Sequence, residues 1–509
     1  MSLLLTIASS SPVYAWRYIF RDTGDSLNDS QGEVIEGVGD QNGDGYDDIL
    51  VKVGRLREFR IYHGGERMDT IPDWSIHAFS GGTNIGDVNN DGIPDMFFML
   101  FETDDEGHKL ETIFYGGEAD TLPDLILQFN SYAHKGGDVN GDGYDDVFQV
   151  WSGYNHPNPQ WFGRIFLYLG SEDGLDTIPD HQWLGEWDRE MLGSSFTSGG
   201  DLNGDGYDDF CCSSKIEGDE SEYMLHIYFG GEDLDNLEVI HHDCRNNIGR
   251  YPSSTGIDIV EDLNNDSCDE LKMFTQGYDG TLIFFGRENF QLTDPYYLII
   301  GGNPVSLGDV NGDGFNDLLL KSSNACGQLG RITVYLGGRW VYNYPVLEVT
   351  GWEEDLITPI GRGECRTGCG DVNGDGFNDV MFAANGQTNG TDNSRGEVYI
   401  IGGNNRWVAD VKQEPDAGLQ PEGIEITEIY PNPFNDALNI EIEVYHPVDL
   451  NIDICTLAGT TVAHFSYNDL TVGSYSFNWN ADGIPSGIYL VSADDGQGHR
   501  HAVKAVRVR

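Results

Sequence analysis

The chain has 509 residues, 39% of them hydrophobic, so it is long enough to bury one large core or several. Its formal net charge of −57, with 28 Lys and Arg against 85 Asp and Glu, argues against nucleic acid or an anionic membrane surface as a partner. No run of 18 apolar residues occurs, so we expect no membrane span.

The first predicted element is a leader. Residues 1–15 combine a short apolar stretch with small residues at Val13 and Ala15, which is typical of a signal peptide cleaved after Ala15. The usual Lys or Arg near the start is missing, so the true start codon is left open. Export also allows cysteines to be oxidised, and Cys365 and Cys369 are close enough to pair across a turn. We expect most of the eight cysteines to be buried thiols instead.

Farther along the chain an acidic motif recurs. The pattern D-x-N-x-D-G-x-x-D begins at Asp40, Asp87, Asp138, Asp201, Asp309 and Asp371. A degraded copy, DLNNDSCDE, begins at Asp262 and is the fifth in chain order. We number these copies loops 1–7, and the nine residues of each are positions 1–9. Two carboxylates about 4 Å apart repel by about 1 kcal/mol even in water, so a run that recurs in this way implies a compensating cation. An acidic solvated turn explains one copy, but not seven in register.

Each position of the motif has a chemical reason. Side-chain oxygens at positions 1, 3 and 5 converge when the backbone curls, position 6 allows the sharp turn, position 7 offers its carbonyl, and position 9 closes the shell. Such hard oxygen ligands favour Ca²⁺, because Mg²⁺ demands stricter octahedral geometry. The motif resembles the first half of an EF-hand loop, but Val51 stands where the position 12 Glu would be. The predicted ligands of six or seven structural calcium sites are Asp40, Asn42, Asp44, Tyr46, Asp48, Asp87, Asn89, Asp91, Ile93, Asp95, Asp138, Asn140, Asp142, Tyr144, Asp146, Asp201, Asn203, Asp205, Tyr207, Asp209, Asp262, Asn264, Asp266, Cys268, Glu270, Asp309, Asn311, Asp313, Phe315, Asp317, Asp371, Asn373, Asp375, Phe377 and Asp379.

Strand patterns surround every loop. A strand leads into each loop, a second follows it, a third ends in an aromatic-glycine signature such as RIYHGG (60–65), and a fourth often begins with D-T-[IL]-P-D. Four antiparallel strands repeated seven times predict an all-β fold, a seven-bladed β-propeller. The seventh unit lacks a fourth strand, so we predict that Trp16–Phe20 completes the last blade and latches the ring. Cys211 and Cys212 are neighbours on one predicted strand and should point to opposite faces.

The repeats are similar to the FG-GAP repeats of integrin α-subunit propellers and their bacterial relatives, over residues 16–404. The resemblance implies calcium loops on one face and ligands on the opposite face. Loop 5 departs from the pattern, since Ser267 replaces Gly and Glu270 replaces the final Asp, so its occupancy is left open. Long segments rich in aromatic, amide or arginine side chains are predicted at the opposite face, where they suit a glycan or a protein ligand: 151–163, 183–193, 242–256 and 350–368.

The tail forms a second predicted domain. Residues 405–423 read as a linker, and 424–509 as a small immunoglobulin-like β-sandwich. Three landmarks resemble the C-terminal sorting domain of the type IX secretion system: YPNPFN (430–435), IDICTLAGTTV (452–462) and GIPSGIYLVSADDG (483–496). The module of flagellar hook-capping proteins shares some of them, but the C-terminal position favours the sorting domain. The resemblance implies the secretion machinery as a partner and a secreted or cell-surface location.

Motifs for catalysis are missing from the sequence. There is no HExxH, Walker A, GxSxG or CxxC motif. His241 and His242 in HHDC (241–244) can ligate a transition metal, but they alternate faces on a predicted strand, which favours a structural role. We therefore predict a non-catalytic, monomeric binding module with no catalytic residues and no cofactor besides calcium. The alternative is an extracellular polysaccharide-degrading enzyme, since some lyases are built on calcium-rich propellers.

Overall fold

The structure is a computed structural model, and it divides the chain into two compact units, Met1–Asp410 and Val411–Arg509. The predicted signal peptide and linker lie outside the described residues. Those residues are 18–24, 29–103, 109–117, 122–127, 131–152, 162–185, 190–216, 222–243, 252–275, 280–292, 296–298, 304–322, 331–338, 345–350, 364–365, 367–384, 396–404, 424–430, 434, 437–444, 448–456, 461–471, 473–481, 484–485, 487–494 and 500–507.

The first unit is a seven-bladed β-propeller, and in blades 1–6 the strands run in chain order from the propeller axis to the rim. In blade 7, Glu364–Cys365 pair in parallel with the first strand of blade 1. The opening strand β1 (Tyr18–Thr23) belongs to the last blade. Blade 1 contains β2 (Gln31–Gly39), β3 (Asp48–Val53), β4 (Glu58–Tyr62) and the first part of β5 (Trp74–Gly86). Blade 2 contains the second part of β5, β6 (Asp95–Thr103), β7 (Lys109–Phe114) and β8 (Leu125–Leu127). Blade 3 contains β9 (Tyr132–Gly137), β10 (Asp146–Trp151), β11 (Arg164–Tyr168) and β12 (His181–Leu184). Blade 4 contains β13 (Ser195–Gly200), β14 (Asp209–Ile216), β15 (Glu222–Tyr228), η1 (Leu234–Asn236) and β16 (Val239–Asp243). Blade 5 contains β17 (Pro252–Val260), β18 (Glu270–Thr275), β19 (Gly280–Phe284) and β20 (Tyr296–Leu298), and blade 6 contains β21 (Val305–Gly308), β22 (Asp317–Ser322), β23 (Arg331–Tyr335) and β24 (Pro345–Thr350). The last blade follows with β25 (Glu364–Cys365), β26 (Val380–Ala384) and β27 (Glu397–Ile401).

Blades 1 and 2 share one long strand. The first residues of β5, Trp74–His77, pair with β4 at the rim of blade 1, and Ala78–Gly86 pair with β6 at the centre of blade 2. Register shifts interrupt the second part, and Gly81 and Gly82 adopt φ of 87° and 64°, which only glycine adopts readily. The sequence predicted two separate strands here. The short connection between the blades makes them one bent strand.

The ring is closed by strand β1, as predicted. Its residues pair antiparallel with β27 at the rim of blade 7, with Phe20 opposite Ile400 and Arg21 opposite Tyr399. The paired strand extends to Thr23, slightly beyond the predicted Phe20, while Trp16 and Arg17 lie outside the described residues. Blade 7 therefore takes its outer strand from the beginning of the chain and its other strands from the end of the propeller.

Seven equivalent backbone hydrogen bonds join each blade to the next around the whole ring. In each, the position 2 carbonyl of one loop accepts an N–H from the turn after the third strand of the following blade. The last of them runs from Gly65 in blade 1 to the carbonyl of Val372 in blade 7, at 2.8 Å. The other six pairs are Gly117 to Gln41, Ser171 to Val88, Gly231 to Val139, Arg287 to Leu202, Gly338 to Leu263 and Asn404 to Val310. This repetition shows that all seven blades are in register.

Close approach at these joints explains the aromatic-glycine signature. A Cβ on Gly170 would lie 2.4 Å from the carbonyl oxygen of Asp145 and 2.8 Å from that of Val88. A Cβ on Gly64 or on Gly230 would meet the two equivalent carbonyl oxygens at the same distances. No side chain fits at this point, so glycine follows the third strand.

The second strand of each blade is buried on both faces. In blade 1, Ile49 and Val51 pack toward blade 7, whereas Leu50 packs toward blade 2. Cys211 and Cys212 behave in the same way on β14, because Cys211 joins the core with blade 5 and Cys212 the core with blade 3. Both are buried free thiols, as predicted. The side chain of Cys365 is outside the described atoms, so its pairing with Cys369 stays a prediction.

The second unit is a β-sandwich of two antiparallel sheets. One sheet has the order β28 (Ile424–Tyr430), β29 (Ala437–Val444), β32 (Gly473–Asn480), and the other has the order β31 (Thr461–Leu470), β30 (Val448–Thr456), β33 (Gly487–Asp494), β34 (Arg500–Arg507). Alternating residues of both sheets, among them Ile440, Ile452, Trp479 and Val491, form its core. This is the immunoglobulin-like sandwich that the sequence predicts.

Candidate metal centres in the ring of acidic loops

Each acidic loop is folded around its position 1 aspartate. In loop 3, Asp138 Oδ1 accepts the N–H of Gly141 at 2.7 Å and of Asp142 at 3.0 Å, and Oδ2 accepts that of Gly143 at 2.8 Å. The loop can close this tightly because position 6 lies in the left-handed region, with φ between 73° and 92° in all seven loops. The sharp turn predicted at position 6 is confirmed.

Positions 3 and 5 are hydrogen-bonded side by side in loops 1–4 and 6, whereas in loop 7 the Asn373 amide donates to Asp379 at position 9. In loop 3 the Asn140 amide donates to Asp142 Oδ2 at 2.8 Å, and Asn140 Oδ1 accepts the N–H of Asp142 at 2.9 Å. Asp142 is exposed and Asn140 half-buried, so solvent reaches this pair. The oxygens at positions 1, 3 and 5 therefore share the concave side of one turn.

Position 9 is buried beneath the loop. Asp146 is 0% exposed, and its two oxygens accept the N–H groups of Val139 at 3.0 Å and Gly170 at 2.9 Å. Burial raises the pKa of Asp146 to about 8, with a smaller contribution from repulsion by Asp142 and Asp138. Burial likewise raises the pKa of the other position 9 residues, to about 6 for Asp48, about 7 for Asp95 and Asp379, about 8 for Asp209 and Asp317 and about 9 for Glu270.

The donor set of these loops fits a hard cation. Positions 1, 3, 5 and 9 present carboxylate and amide oxygens, and in loops 3, 4 and 6 each position 9 oxygen accepts one backbone N–H, which leaves it a second lone pair. Among the ion pairs of the described residues, none engages a carboxylate at position 1 or 5. No basic side chain thus offsets the repulsion within the loop, whereas Ca²⁺ would neutralise it through oxygen ligands of this kind.

Loop 5 keeps the shape of the others despite its changed residues. Ser267 at position 6 has φ 73° and donates its N–H to Asp262 Oδ2 at 2.7 Å. Oxygens of Asp262, Asp266 and Glu270 all lie within 4.8 Å of one another, the one such group of three metal-ligating side chains found among the described residues. The copy that looked degraded in sequence therefore brings three carboxylates together.

Sequence reasoning missed the role of position 8. The Asp208 carboxylate in loop 4 accepts the N–H of Asp138 in loop 3 at 2.7 Å, and the Asp208 N–H donates to the Asp138 carbonyl at 3.1 Å. We call this pair of hydrogen bonds the inter-loop latch. It recurs between Asp47 and Asp371, Asp145 and Asp87, and Asp269 and Asp201. The signal was present in the sequence, because aspartate occupies position 8 in four of the seven copies.

Position 7 also connects neighbouring loops. A Cβ placed on Gly141 of loop 3 would lie 2.5 Å from Cε1 of Tyr207 in loop 4, and Gly374 meets Tyr46 at the same distance. In these pairs the aromatic side chain at position 7 thus covers the preceding loop, while the backbone carbonyl of the same residue is the predicted ligand. Gly312 and Phe377 of loops 6 and 7 make the same contact, whereas position 7 is Cys268 in loop 5 and Ile93 in loop 2.

A polar cavity of about 500 Å³ lies along the propeller axis. Its lining includes residues from the inner region of every blade: Glu36, Thr83, Lys135, Thr197, Asp258, Ser306 and Thr367. The fully buried Lys272 donates to Asp258 of the same blade at 2.8 Å, whereas Thr83 of blade 2 donates to Glu36 of blade 1 at 2.7 Å and Thr197 of blade 4 donates to Asp258 of blade 5 at 3.2 Å. The cavity confirms closure around one axis.

His241 of HHDC belongs to a side-chain cluster, whereas His242 follows it on the strand and pairs in register with Leu225. His241 Nδ1 lies 2.7 Å from His226 Nδ1, and His226 Nε2 lies 2.9 Å from the Ser214 hydroxyl. Burial, with His241 nearby, lowers the pKa of His226 to about 4. Ser214 is 1% exposed, so a substrate does not reach its hydroxyl. The cluster supports the structural interpretation of these residues.

The predicted ligand face is only partly described. Residues 153–161, 186–189, 244–251 and 351–363 lie outside the described residues, and with them most of the four long segments. At that end of blade 3, the described residues include Trp151 and Arg164. The Arg164 guanidinium lies over the Trp151 ring, 5.6 Å from the ring centre. These two residues end β10 and begin β11, opposite loop 3.

Together, the fold and loops define a seven-bladed β-propeller with an acidic loop in every blade, followed by an immunoglobulin-like sandwich. In sequence the propeller is similar to integrin α chains: 27% identical over 199 residues to integrin alpha-8 of Homo sapiens (36% of this chain, 17% of the relative), 36% over 171 residues to integrin alpha-5 of Xenopus laevis (32% and 16%), and 25% over 173 residues to integrin alpha-PS2 of Drosophila melanogaster (32% and 12%). The chain thus spans less than a fifth of the length of these relatives.

The sandwich carries a sorting signal. Residues 428–506 match the family model described as the secretion system C-terminal sorting domain. This match confirms the type IX sorting domain that the landmarks suggested, and it indicates a secreted or cell-surface location. No helix among the described residues is long and apolar enough to cross a membrane.

Proposed function

We propose that the protein is a secreted or cell-surface propeller that binds calcium in its acidic loops and recognises a glycan or protein ligand without catalysing a reaction. The observation that carries this proposal is the ring of loops, each with oxygen donors gathered around position 1 and a buried carboxylate at position 9. Similarity to integrin α chains and the sorting domain support a role outside the cell.

Calcium in this proposal stabilises the fold. The side chains at positions 1, 3, 5 and 9 and the carbonyl at position 7 would hold it. Loops without a position 12 Glu suggest Kd values like those of extracellular modules, on the order of 10⁻⁴–10⁻³ M. At calcium about tenfold above Kd, each site adds roughly 1.4 kcal/mol, so six sites add about 8 kcal/mol, comparable to the stability of a whole domain. Folding would then be favoured after export.

Ligand recognition is assigned to the face opposite the loops, where the strands β10 and β11 present Trp151 and Arg164. Aromatic side chains beside a guanidinium suit sugar stacking or a protein hot spot. We expect the protein to act as a monomer, since the latched ring leaves no blade incomplete.

Metal analysis, binding screens and an assay for cleavage test the proposal. Metal analysis of protein purified in millimolar calcium should find bound calcium, and none bound would overturn the metal assignment. A glycan array and a protein-binding screen should reveal a ligand, while a polysaccharide depolymerisation assay should show no cleavage. Cleavage that persists through purification and is lost on substitution of one residue would establish the enzyme instead.

A further inference from the structure

A second cavity lies between blades 1 and 2, on the same face as the acidic loops. It has a volume of about 240 Å³ and is lined by side chains that include Gln41, Asn42, His63, Trp74, Tyr115 and Asp124. We call it the blade 1–2 pocket. Its floor is apolar, because Ile61, Met96 and Phe114 also line it and are nearly buried. Aromatic rings and polar groups therefore surround one compact space.

The repeat changes at this junction. Position 2 is a fully buried Val or Leu in loops 2–7 but Gln41 in loop 1, and position 8 is Asp or Asn in six loops but Pro94 in loop 2. The Gln41 amide donates to the carbonyls of Val38 and Pro94, both at 2.9 Å. These bonds fix the side chain where the inter-loop latch would otherwise form. Hydrogen bonds among the described residues leave its Oε1 as a remaining acceptor.

At other junctions a large apolar side chain fills the corresponding space. Leu175 packs between blades 2 and 3, Leu234 between blades 3 and 4, and Phe290 between blades 4 and 5, each at most 8% exposed. Met68 packs between blades 7 and 1. These four residues follow the third strand of their blades, and we call them the plug residues.

Blade 2 carries no large residue at the plug position of its sequence. Met68 precedes DTIPD at 69–73 and Leu175 precedes DTIPD at 176–180, whereas Ala119 precedes DTLPD at 120–124. This correspondence is one of sequence, since residues 118–121 lie outside the described part of the chain. Two departures from the repeat thus coincide at the cavity, because Gln41 lines it and the Pro94 carbonyl accepts the Gln41 amide. Departures from a consistent pattern are expected at functional sites.

The chemistry of the lining selects the ligand. Trp74 and Tyr115 are half-buried rings, and rings of this kind offer apolar faces to the C–H side of a sugar. Asp124 accepts the Tyr115 N–H at 2.9 Å through Oδ2, and no donor among the described residues occupies Oδ1, which is left for a hydroxyl; His63 adds a further polar group. Pockets for drug-sized ligands begin at about 300 Å³, so this one has room for a single ring.

We propose that the blade 1–2 pocket binds one pyranose residue of a glycan. This inference rests on the proposed function and names the class of its ligand. It places a glycan contact on the face that carries the acidic loops, in addition to the ligand contacts proposed on the opposite face. Methyl glycosides of glucose, galactose and mannose, with N-acetylglucosamine, are suitable probes. Saturation-transfer NMR on the full chain in calcium should show binding of at least one of them.

Filling and trimming variants test the location. Gln41→Leu restores the position 2 residue of loops 4 and 5, removes a polar group from the pocket wall and should weaken glycoside binding, and His63→Ala should weaken it about tenfold, the equivalent of one hydrogen bond. His181→Ala, in blade 3 and away from the pocket, is the matched control and should bind like the parent. Unchanged melting midpoints establish that each variant is folded.

Two results would overturn the inference. If no glycoside binds, the pocket is not a sugar site. If Gln41→Leu and His63→Ala bind glycosides as the parent does, the sugar lies elsewhere, and glycan recognition as a function survives while this location fails. A protein ligand found in the screen with no glycoside bound would keep the proposed function and reject only the pocket.

Discussion

Loops 4 and 5 lie in adjacent blades and differ at four of nine positions, yet they fold alike. Position 6 has φ 89° in Gly206 and 73° in Ser267, and in each loop its N–H donates to Oδ2 of the position 1 aspartate, at 2.8 Å and 2.7 Å. The shape is therefore set by the position 1 carboxylate and not by glycine. Loop 5 accepts a strained backbone to keep it.

The two loops differ in the hydrogen-bond partners of the position 9 carboxylate. Asp209 in loop 4 accepts the N–H of Gly230 after the third strand, at 2.9 Å. The longer Glu270 in loop 5 instead accepts from the Asn264 side chain at 3.0 Å and meets Asp262 and Asp266. The position 9 carboxylate of loop 5 thus lies beside those at positions 1 and 5, although Glu270 departs from the motif. The comparison predicts that loop 5 is a metal site of the same class as loop 4.

Removing calcium tests all seven loops at once and should have the largest effect. Without the ion, clustered carboxylates repel across each turn, so chelator should lower the free energy of unfolding by about 8 kcal/mol if six sites are filled. Thermal melts with and without chelator measure this. A melting midpoint that does not move would contradict calcium as a structural ion.

Substituting position 1 separates loop 4 from loop 5. Asp201→Ala and Asp262→Ala each remove the acceptor of several backbone N–H groups and one metal ligand, so each should cost about 2–4 kcal/mol in calcium. The loss should shrink in chelator for both variants, because the metal contribution is then absent from the parent as well. If only Asp201→Ala depends on calcium, loop 5 is empty and the comparison fails.

The inter-loop latch gives an intermediate effect. Asp269 in loop 5 accepts the N–H of Asp201 in loop 4 at 2.9 Å, and burial raises the pKa of Asp269 to about 6. Asp269→Ala leaves that N–H without its acceptor and should cost about 1–2 kcal/mol, measured by denaturant unfolding. Asn316→Ala, at the same position of loop 6, is the control, since no hydrogen bond of its side chain occurs among the described residues. Equal losses would show that position 8 does not join the blades.

Much of the fold followed from the repeat, because glycine and aspartate at fixed spacing demand one backbone path. The position 6 turn and the strand β1 that closes blade 7 were both predicted in this way. The sequence alone did not reveal the latch, since Asp208 reads as one more acid until a neighbouring blade is placed beside it. It left the occupancy of loop 5 open, because the sequence does not show where the longer Glu270 side chain turns within its loop. Contacts between repeats, unlike those within one, have no fixed spacing in sequence.

Exchanging the residues at position 6 should produce the smallest and most specific effect. Ser267→Gly removes the cost of a non-glycine residue at φ 73° and should stabilise the propeller by about 0.5–1 kcal/mol, whereas Gly206→Ser at φ 89° should destabilise it by a similar amount. Denaturant midpoints in calcium and in chelator measure both changes. Opposite signs in both conditions mean that the backbone alone sets the difference. If Ser267→Gly destabilises the protein, the serine has a role in loop 5 beyond its conformation, and the two loops are not equivalent.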